Sequence, residues 1–195
     1  MFLRVLLAGL LLAAASPLWA QEPAEEPAPR LTFVLEVEAK TGTGEIVIEL
    51  LPDVAPRHVA RIMTMNARGA YDNVAFHRVI DGFMAQTGDV EFGRMDDFDW
   101  QQVGRGRSNL PDIPAEFSDI PFTPGVVAMA RGSEPDSANS QFFIMTADQP
   151  SLTGQYTVIG RVLEGMEMVL TLETGLPQLN GMVSYPDRIT TTRIE

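Results

Sequence analysis

The sequence predicts one mostly-β domain that folds as a closed barrel or a sandwich. About eight short segments carry the alternation or the Val, Ile and Phe content of β-strands, with turn residues between them. Two further segments have helical spacing, and the sequence shows no internal repeat. A chain of 195 residues can bury a sizeable core in one such domain. Many short strands in one domain favour a sheet that closes or packs on itself.

The predicted elements follow one another through residues 31–195. We expect strands at 31–38, 45–50, 74–80, 83–87, 126–130, 141–145, 156–162 and 188–194, and helices at 53–69 and 165–173. Asp53 is the predicted cap of the first helix, and Pro56 suits its first turn. His58 in that helix is interpreted as a surface or packing residue. Residues 90–124 lack periodicity, and long loops of this kind are often functional.

Residues 1–30 predict an export signal and a spacer. Arg4 precedes an apolar run that ends at Ser16-Pro17, and cleavage is expected after Ala20. The run is shorter than the roughly 20 residues that span a bilayer. An uncleaved anchor is the alternative, because Leu18 fits the cleavage pattern less well than Ala. Residues 21–30 contain three Pro and three Glu, which is typical of an extended spacer, so the folded domain is predicted at 31–195.

Composition excludes several classes of function. The formal net charge of −12 disfavours nucleic acid and anionic lipid as partners. The chain has no Cys, so neither a disulfide nor a lipid-modified Cys can form. With only two His, a zinc site of the usual ligand types is disfavoured. We therefore expect no metal and no cofactor.

One cation interrupts a predicted apolar hairpin. Arg78 stands in the run 74–80, where a strand-forming apolar residue would be expected, just before the Asp81-Gly82 turn. Burying a charge costs free energy unless the charge is paired. Arg78 is therefore either a structural ion-pair partner of Asp81 or Asp89, or the working group of the protein. We favour the second interpretation.

Three ordered motifs resemble the signatures of the cyclophilin peptidyl-prolyl isomerases. Phe-His-Arg-Val-Ile with Gly-Phe-Met-Ala-Gln spans 76–86, Asn-Ser-Gln-Phe-Phe-Ile spans 139–144, and Gly-Arg-Val-Leu-Glu-Gly-Met spans 160–166. The resemblance covers about residues 31–194. It implies a closed eight-stranded antiparallel barrel capped by two α-helices, with the active groove on its outer surface.

The resemblance also implies the residues of the site. The catalytic Arg falls on Arg78, and the Gln that holds the substrate backbone falls on Gln86. The positions for the proline-ring pocket and the substrate groove fall on Phe76, His77, Phe83, Met84, Met129, Ala130, Arg131, Gln141, Phe143, Leu152 and Tyr156. Phe142 is assigned to the core, because strand alternation points it away from Phe143.

Four positions depart from the family pattern. Thr87 stands for a usual Gly, Arg131 for a frequent Asn, Tyr156 for a frequent His, and Ser151 for a Trp or other large ring at the pocket rim. We expect Ser151 to weaken inhibition by cyclosporin, the cyclic peptide that uses that rim in the family. Nanomolar inhibition would contradict this expectation.

The implied reaction is rotation about X–Pro bonds, which needs no nucleophile, metal or cofactor. Amide resonance sets a barrier of about 18–20 kcal/mol. A guanidinium N–H that reaches the proline nitrogen would stabilise the twisted amide more than the planar one. The expected partners are proline-containing segments of exported proteins, met in the periplasm by a monomer that is not inserted in the membrane after signal cleavage; secretion from the cell is the alternative.

Two other classes of function remain open on the sequence alone. A cyclophilin-fold binding module, such as a holdase, could dock a partner through residues 90–124 with little catalysis. A hydrolase is the weaker alternative. His77 has Asp81 nearby, but no Ser has the sequence context of a nucleophile elbow. The Gly-Arg repeat at 104–107 resembles a phosphate loop only superficially, since no clear strand precedes it.

Overall fold

The predicted strands pair into one continuous antiparallel sheet in the computed structural model, which describes residues 30–195. Its strands are β1 Thr32–Ala39, β2 Gly42–Leu50, β3 Val74–Ala75, β4 Arg78–Ile80, β5 Met84–Thr87, β6 Val126–Met129, β7 Phe142–Met145, β8 Val158–Glu164 and β9 Arg188–Ile194. Its α-helices are α1 Pro56–Ala67 and α2 Met166–Thr171. The predicted signal and all but the last residue of the predicted spacer lie outside the described residues, so that division of the chain stays a prediction.

The strand order is β3-β9-β1-β2-β8-β6-β7-β5-β4. The mostly-β, antiparallel fold with two helices is therefore confirmed, but the sheet has nine strands and not the predicted eight. The predicted strand 74–80 breaks at Phe76-His77, because these residues bond to another segment. The Phe76 N–H donates to the Asp187 carbonyl at 2.8 Å, and the His77 carbonyl accepts from the Val183 N–H at 3.0 Å. The broken strand thus links the two ends of the strand order.

Alternation in β7 divides the apolar side chains between two clusters. Phe142 is fully buried in the main core with the β1 and β2 side chains. Phe143 belongs to a second cluster that contains Met84 and Phe122. The prediction that these two neighbouring rings point to opposite faces is confirmed. The second cluster is the floor of the surface described below.

The long segment after β5 is irregular but anchored. The buried Asp89 carboxylate accepts four backbone N–H bonds, from Glu91 and Phe92 at one oxygen and from Gly104 and Gly106 at the other, at 2.7–3.2 Å. A side chain at Gly106 would overlap the carboxylate, so only glycine fits there. Asp89 therefore fixes the backbone of residues 91–106 beside the sheet.

The N-terminus of α1 is capped from outside the helix. The predicted cap at Asp53 is wrong: the N-cap residue is Ala55, which has no side chain that can cap. The Glu116 carboxylate instead accepts the N–H groups of Arg57 and His58 at 3.1–3.2 Å. It also lies 2.6 Å from the Nδ1 atom of His58. His58 is fully buried, so it is a packing residue and not a surface residue.

The helices of the described region are short. α1 has 12 residues and α2 has 6. Within residues 30–195, neither helix combines the length and the apolar character that a bilayer span requires.

Removing the distant cap should destabilise the domain. We expect Glu116→Ala to lower the free energy of unfolding by about 1–2 kcal/mol, because two helix N–H groups lose their acceptor. Urea titration followed by circular dichroism measures the change. Glu134→Ala, an exposed Glu elsewhere on the surface, is the matched control and should change stability by less than about 0.5 kcal/mol. Equal midpoints for the two variants would contradict the capping role.

Candidate active site

The two predicted catalytic residues face each other across a hairpin. Arg78 in β4 and Gln86 in β5 are direct partners in the strand register. Side chains of opposed residues lie on the same face and within contact distance. The Nη1 atom of Arg78 donates to the Oε1 atom of Gln86 at 3.1 Å. The hairpin itself thus sets the distance between these groups.

A residue that the sequence analysis missed holds the other side of Arg78. Asn180 accepts twice, from Nε at its carbonyl oxygen, 2.9 Å, and from Nη2 at its Oδ1 atom, 3.1 Å. Asn180 has φ 53°, a left-handed conformation that Asn tolerates better than most residues. The next residue, Gly181, accepts the Val79 N–H at 2.9 Å and ties this turn to β4. The Asn-Gly pair predicts a turn, but nothing in the sequence shows that the turn meets Arg78.

The charge of Arg78 is not neutralised by an acid. None of the ion pairs among residues 30–195 involves Arg78, and Asp89 binds backbone N–H groups. The structural ion pair considered for Asp81 or Asp89 is therefore wrong. Burial lowers the pKa of Arg78, with an opposing effect of Tyr156. Arg remains protonated at neutral pH, so a cation with only neutral hydrogen-bond partners stands at this surface.

A line of side-chain amides extends from Arg78. Gln86 donates through Nε2 to the Oε1 atom of Gln141 at 2.8 Å. Gln141 in turn donates through Nε2 to the Gly106 carbonyl at 2.8 Å. Because Asp89 holds Gly106, the orientation of Gln86 depends on the anchored loop.

A cavity of about 110 Å³ with both apolar and polar walls opens beside Arg78. Its walls are Arg78, Phe83, Met84, Gln86, Ala130, Arg131, Phe143, Leu152 and Tyr156. The Phe143 ring stands perpendicular to that of Tyr156, with centroids 5.6 Å apart, and lies against Phe122 at 6.2 Å. Phe122 supports the wall from beneath and was also missed, because its segment has no strand pattern. We call this space the ring cavity.

Two of the residues that depart from the family pattern pack on each other. The guanidinium carbon of Arg131 lies 4.6 Å from the centroid of the Tyr156 ring. A cation over an aromatic face is attracted by the ring quadrupole. Together they form one rim of the ring cavity, whereas Ser151 is exposed on the short helix Pro150–Leu152 and does not line it.

A larger cavity of about 280 Å³ adjoins the ring cavity and is called the second cavity here. Its walls are Gln86, Gly104, Arg105, Gly106, Arg107, Ala130, Arg131, Gly132, Ser137, Asn139, Ser140 and Gln141. The predicted residue Gln141 belongs to this wall. Gln86, Ala130 and Arg131 belong to both cavities.

Three predicted site residues lie away from both cavities. Phe76 and Met129 are buried in the main core. His77 is 3 % exposed and lies under the loop, where a side-chain carbon at Gly104 would be 3.6 Å from its ring. Burial lowers the pKa of His77 to about 4, and the charge of Asp89 opposes this shift only in part. His77 is therefore neutral at pH 7.

The described residues hold no group of three or more His, Asp or Glu that could bind a metal ion. The chemistry available beside Arg78 is that of its guanidinium, the amides of Gln86 and Gln141, and a cavity with several apolar walls.

A family model described as cyclophilin type peptidyl-prolyl cis-trans isomerase/CLD matches residues 34–194. The chain belongs to this family. A probable peptidyl-prolyl cis-trans isomerase of Brucella suis is 50% identical over 195 residues, which cover 100% of this chain and 97% of the relative. An isomerase of Arabidopsis thaliana, CYP18-2, is 34% identical over 143 residues, 70% of this chain and 79% of the relative.

Solved cyclophilin structures have the same fold. Cyclophilin AquaCyp293 from Hirschia baltica superposes with a TM-score of 0.67 at 26% identity, covering 83% of this chain and 73% of that one. A Cryptosporidium parvum cyclophilin type isomerase, crystallised in the presence of the dipeptide Ala-Pro, gives a TM-score of 0.69 at 22% identity, covering 84% and 98%. The resemblance of the three motifs is thus confirmed at the level of the family, and the chain is a peptidyl-prolyl cis-trans isomerase.

Loss of the Asn180 side chain should slow this cyclophilin without weakening substrate binding. Asn180→Gly keeps the carbonyl acceptor and the left-handed φ but removes the Oδ1 acceptor of Arg78. Hydrogen bonds to charged groups contribute about 1.5–3 kcal/mol, so we expect kcat to fall about 10- to 150-fold with KM nearly unchanged. Exchange NMR at several concentrations of an X–Pro peptide separates the two constants. An unchanged kcat would show that Asn180 does not position Arg78.

Acidification should destabilise the domain through His77. The pKa of His77 is about 4 in the folded protein and about 6.5 in the unfolded chain. The contribution of His77 to the free energy of unfolding is therefore fully present above pH 6.5 and is lost as the pH falls toward 4. We expect a loss on the order of 2–3 kcal/mol from this group. Urea unfolding at pH 7.5, 6, 5 and 4 measures the slope. His77→Gln should flatten it, while the buried His58 continues to contribute in both proteins; identical slopes would contradict the assignment.

Proposed function

We propose that this cyclophilin rotates X–Pro bonds in exported polypeptides and that Arg78 stabilises the twisted amide. The observation that carries the proposal is a guanidinium that has no carboxylate partner within residues 30–195 and stands beside a cavity with several apolar walls. Such a cation is free to interact with charge that develops in a substrate. The cavity next to it selects which amide is presented.

The ring cavity suits a proline ring. Its volume of about 110 Å³ equals that of roughly three to four water molecules, enough for one small ring. Phe83, Met84, Phe143 and Leu152 offer apolar walls, and each buried CH₂ of a ring contributes about 0.8 kcal/mol. Proline-containing peptides are therefore the substrate class that we infer.

The catalytic step needs only a positioned donor. When the X–Pro amide twists, its resonance is lost and the proline nitrogen gains a lone pair. An N–H of Arg78 directed at that nitrogen stabilises the twisted amide more than the planar ground state, and this difference lowers the barrier. Asn180 and Gln86 accept hydrogen bonds from all three guanidinium nitrogens of Arg78 before substrate binds, so little reorganisation is required.

Gln86 has a donor left for the substrate. Its Oε1 atom accepts from Arg78, and one Nε2 hydrogen goes to Gln141. An amide nitrogen carries two hydrogens, so the second can donate to a carbonyl oxygen of the peptide. This contact would hold the backbone next to the rotating bond.

The place of action that we propose is the periplasm. Residues 1–20 have the layout of a secretory signal, and residues 21–30 that of a solvated spacer. The clients would then be exported proteins, and we propose that the mature chain acts as a monomer. Cell fractionation with N-terminal sequencing tests this: a mature start at Gln21 in the periplasmic fraction supports it, and a full-length cytoplasmic chain contradicts it. Sedimentation equilibrium tests the monomer.

Replacement of Arg78 tests the mechanism. We expect Arg78→Ala to lower kcat/KM about 10²- to 10³-fold, the usual loss when one donor to a transition state is removed. Arg78→Lys keeps the charge without the planar fork and should recover only part of the activity. Circular dichroism and urea midpoints verify that both variants fold. Unchanged isomerisation in folded Arg78→Ala would remove the mechanism and favour the binding-module alternative.

A further inference from the structure

The second cavity continues the ring cavity along the surface. Gln86, Ala130 and Arg131 line both spaces, so the two cavities are direct neighbours that share these residues. A bound polypeptide is extended at about 3.3 Å per residue, so a chain with its proline in the ring cavity crosses the second cavity within a few residues. The composition of that cavity can therefore select among X–Pro sequences.

The walls of the second cavity carry a charge opposite to that of the whole protein. Three arginines line it, Arg105, Arg107 and Arg131, and no Asp or Glu of residues 30–195 does so. The complete chain has 26 acidic and 14 basic residues. An acid-free wall with three cations is thus a local reversal beside the active surface.

Two of these cations have no acidic partner in the described part of the chain. Arg107 forms an ion pair with Asp112 at 3.0 Å. Arg131 donates only to the carbonyls of Gly132, Ser133 and Gln155. The exposed Arg105 guanidinium has no hydrogen-bond or ion-pair partner within residues 30–195.

One buried acid lies beneath the loop. The Asp89 carboxylate faces the underside of Gly104 and Gly106 and is compensated there by four backbone N–H groups. Its charge is turned away from the cavity into a set of donors, so it reduces the positive potential at Arg105 and Arg131 without cancelling it.

We propose that the second cavity selects substrates with an acidic residue two or three positions before the proline. The proposal places the residues before the proline, which are attached through the nitrogen beside Arg78, along Gln86 and Gln141 toward Arg105 and Arg131. This preference rests on the proposed function, because it assumes that the ring cavity holds proline. A carboxylate near two uncompensated guanidinium groups gains a charge-assisted contact.

Matched peptides test the preference. Two pairs of peptides share one X–Pro core. One pair carries Glu or Gln two residues before the proline, and the other pair carries Glu or Gln two residues after it. Exchange NMR gives kcat/KM, and chemical-shift titration gives Kd independently of catalysis. We expect a Glu-to-Gln ratio of about 3 to 10 before the proline and about 1 after it, since exposed charge pairs contribute modestly.

Two single-charge variants separate the local site from the overall field. In Arg105→Gln, the Glu-to-Gln ratio measured before the proline should fall about threefold or more and approach the ratio measured after the proline. Arg161→Gln removes the same charge from an arginine that pairs with Glu49 outside the cavity and should leave the ratio unchanged. A ratio near 1 in the wild type, or equal changes in both variants, would overturn the inference while isomerisation of the Gln peptide still supports the proposed function. If no peptide is isomerised, the proposed function fails and the Kd ratio alone decides the inference.

Discussion

The active surface depends on one buried carboxylate. Asp89 directly follows the hairpin that carries Arg78 and Gln86, is fully buried, and satisfies its charge with four backbone N–H groups of residues 91–106. A buried charge must be compensated by hydrogen bonds, so the carboxylate leaves this loop little freedom. The loop then presents the Gly106 carbonyl to Gln141. A structural charge thereby becomes a constraint on the orientation of side chains at the surface.

Arg78 is held from two sides without being neutralised. Asn180 accepts from Nε and Nη2 on one side, and Gln86, oriented by Gln141, accepts from Nη1 on the other. These hydrogen bonds fix the plane of the guanidinium. Because every acceptor is neutral, the charge of Arg78 remains to act on a substrate. An acidic partner would hold the group equally well but would compete with the developing lone pair for the same cation. The absence of a carboxylate at this position is thus part of the chemistry that we propose.

Much of this arrangement was predictable because it is local in sequence. Strand periodicity placed Phe142 and Phe143 on opposite faces, and the hairpin predicted around Asp81-Gly82 brings Arg78 opposite Gln86. What could not be predicted depends on contacts between distant segments. Asn180 is 102 positions from Arg78. Glu116 caps helix α1 at Arg57, which lies 59 positions before it, whereas the sequence predicted the nearby Asp53 as the cap. The break of the strand at Phe76-His77 likewise arises from bonds to residues 183–187.

A double-mutant cycle between Gln141 and Arg78 tests most directly whether the amide line acts by positioning Arg78. The cycle compares kcat/KM, measured by exchange NMR, for the wild type, Gln141→Leu, Arg78→Ala and the double variant. If Gln141 acts through Arg78, its substitution should cost about tenfold in the wild type and almost nothing once Arg78 is absent. Equal losses in both backgrounds would mean that the two residues act independently and would contradict the account.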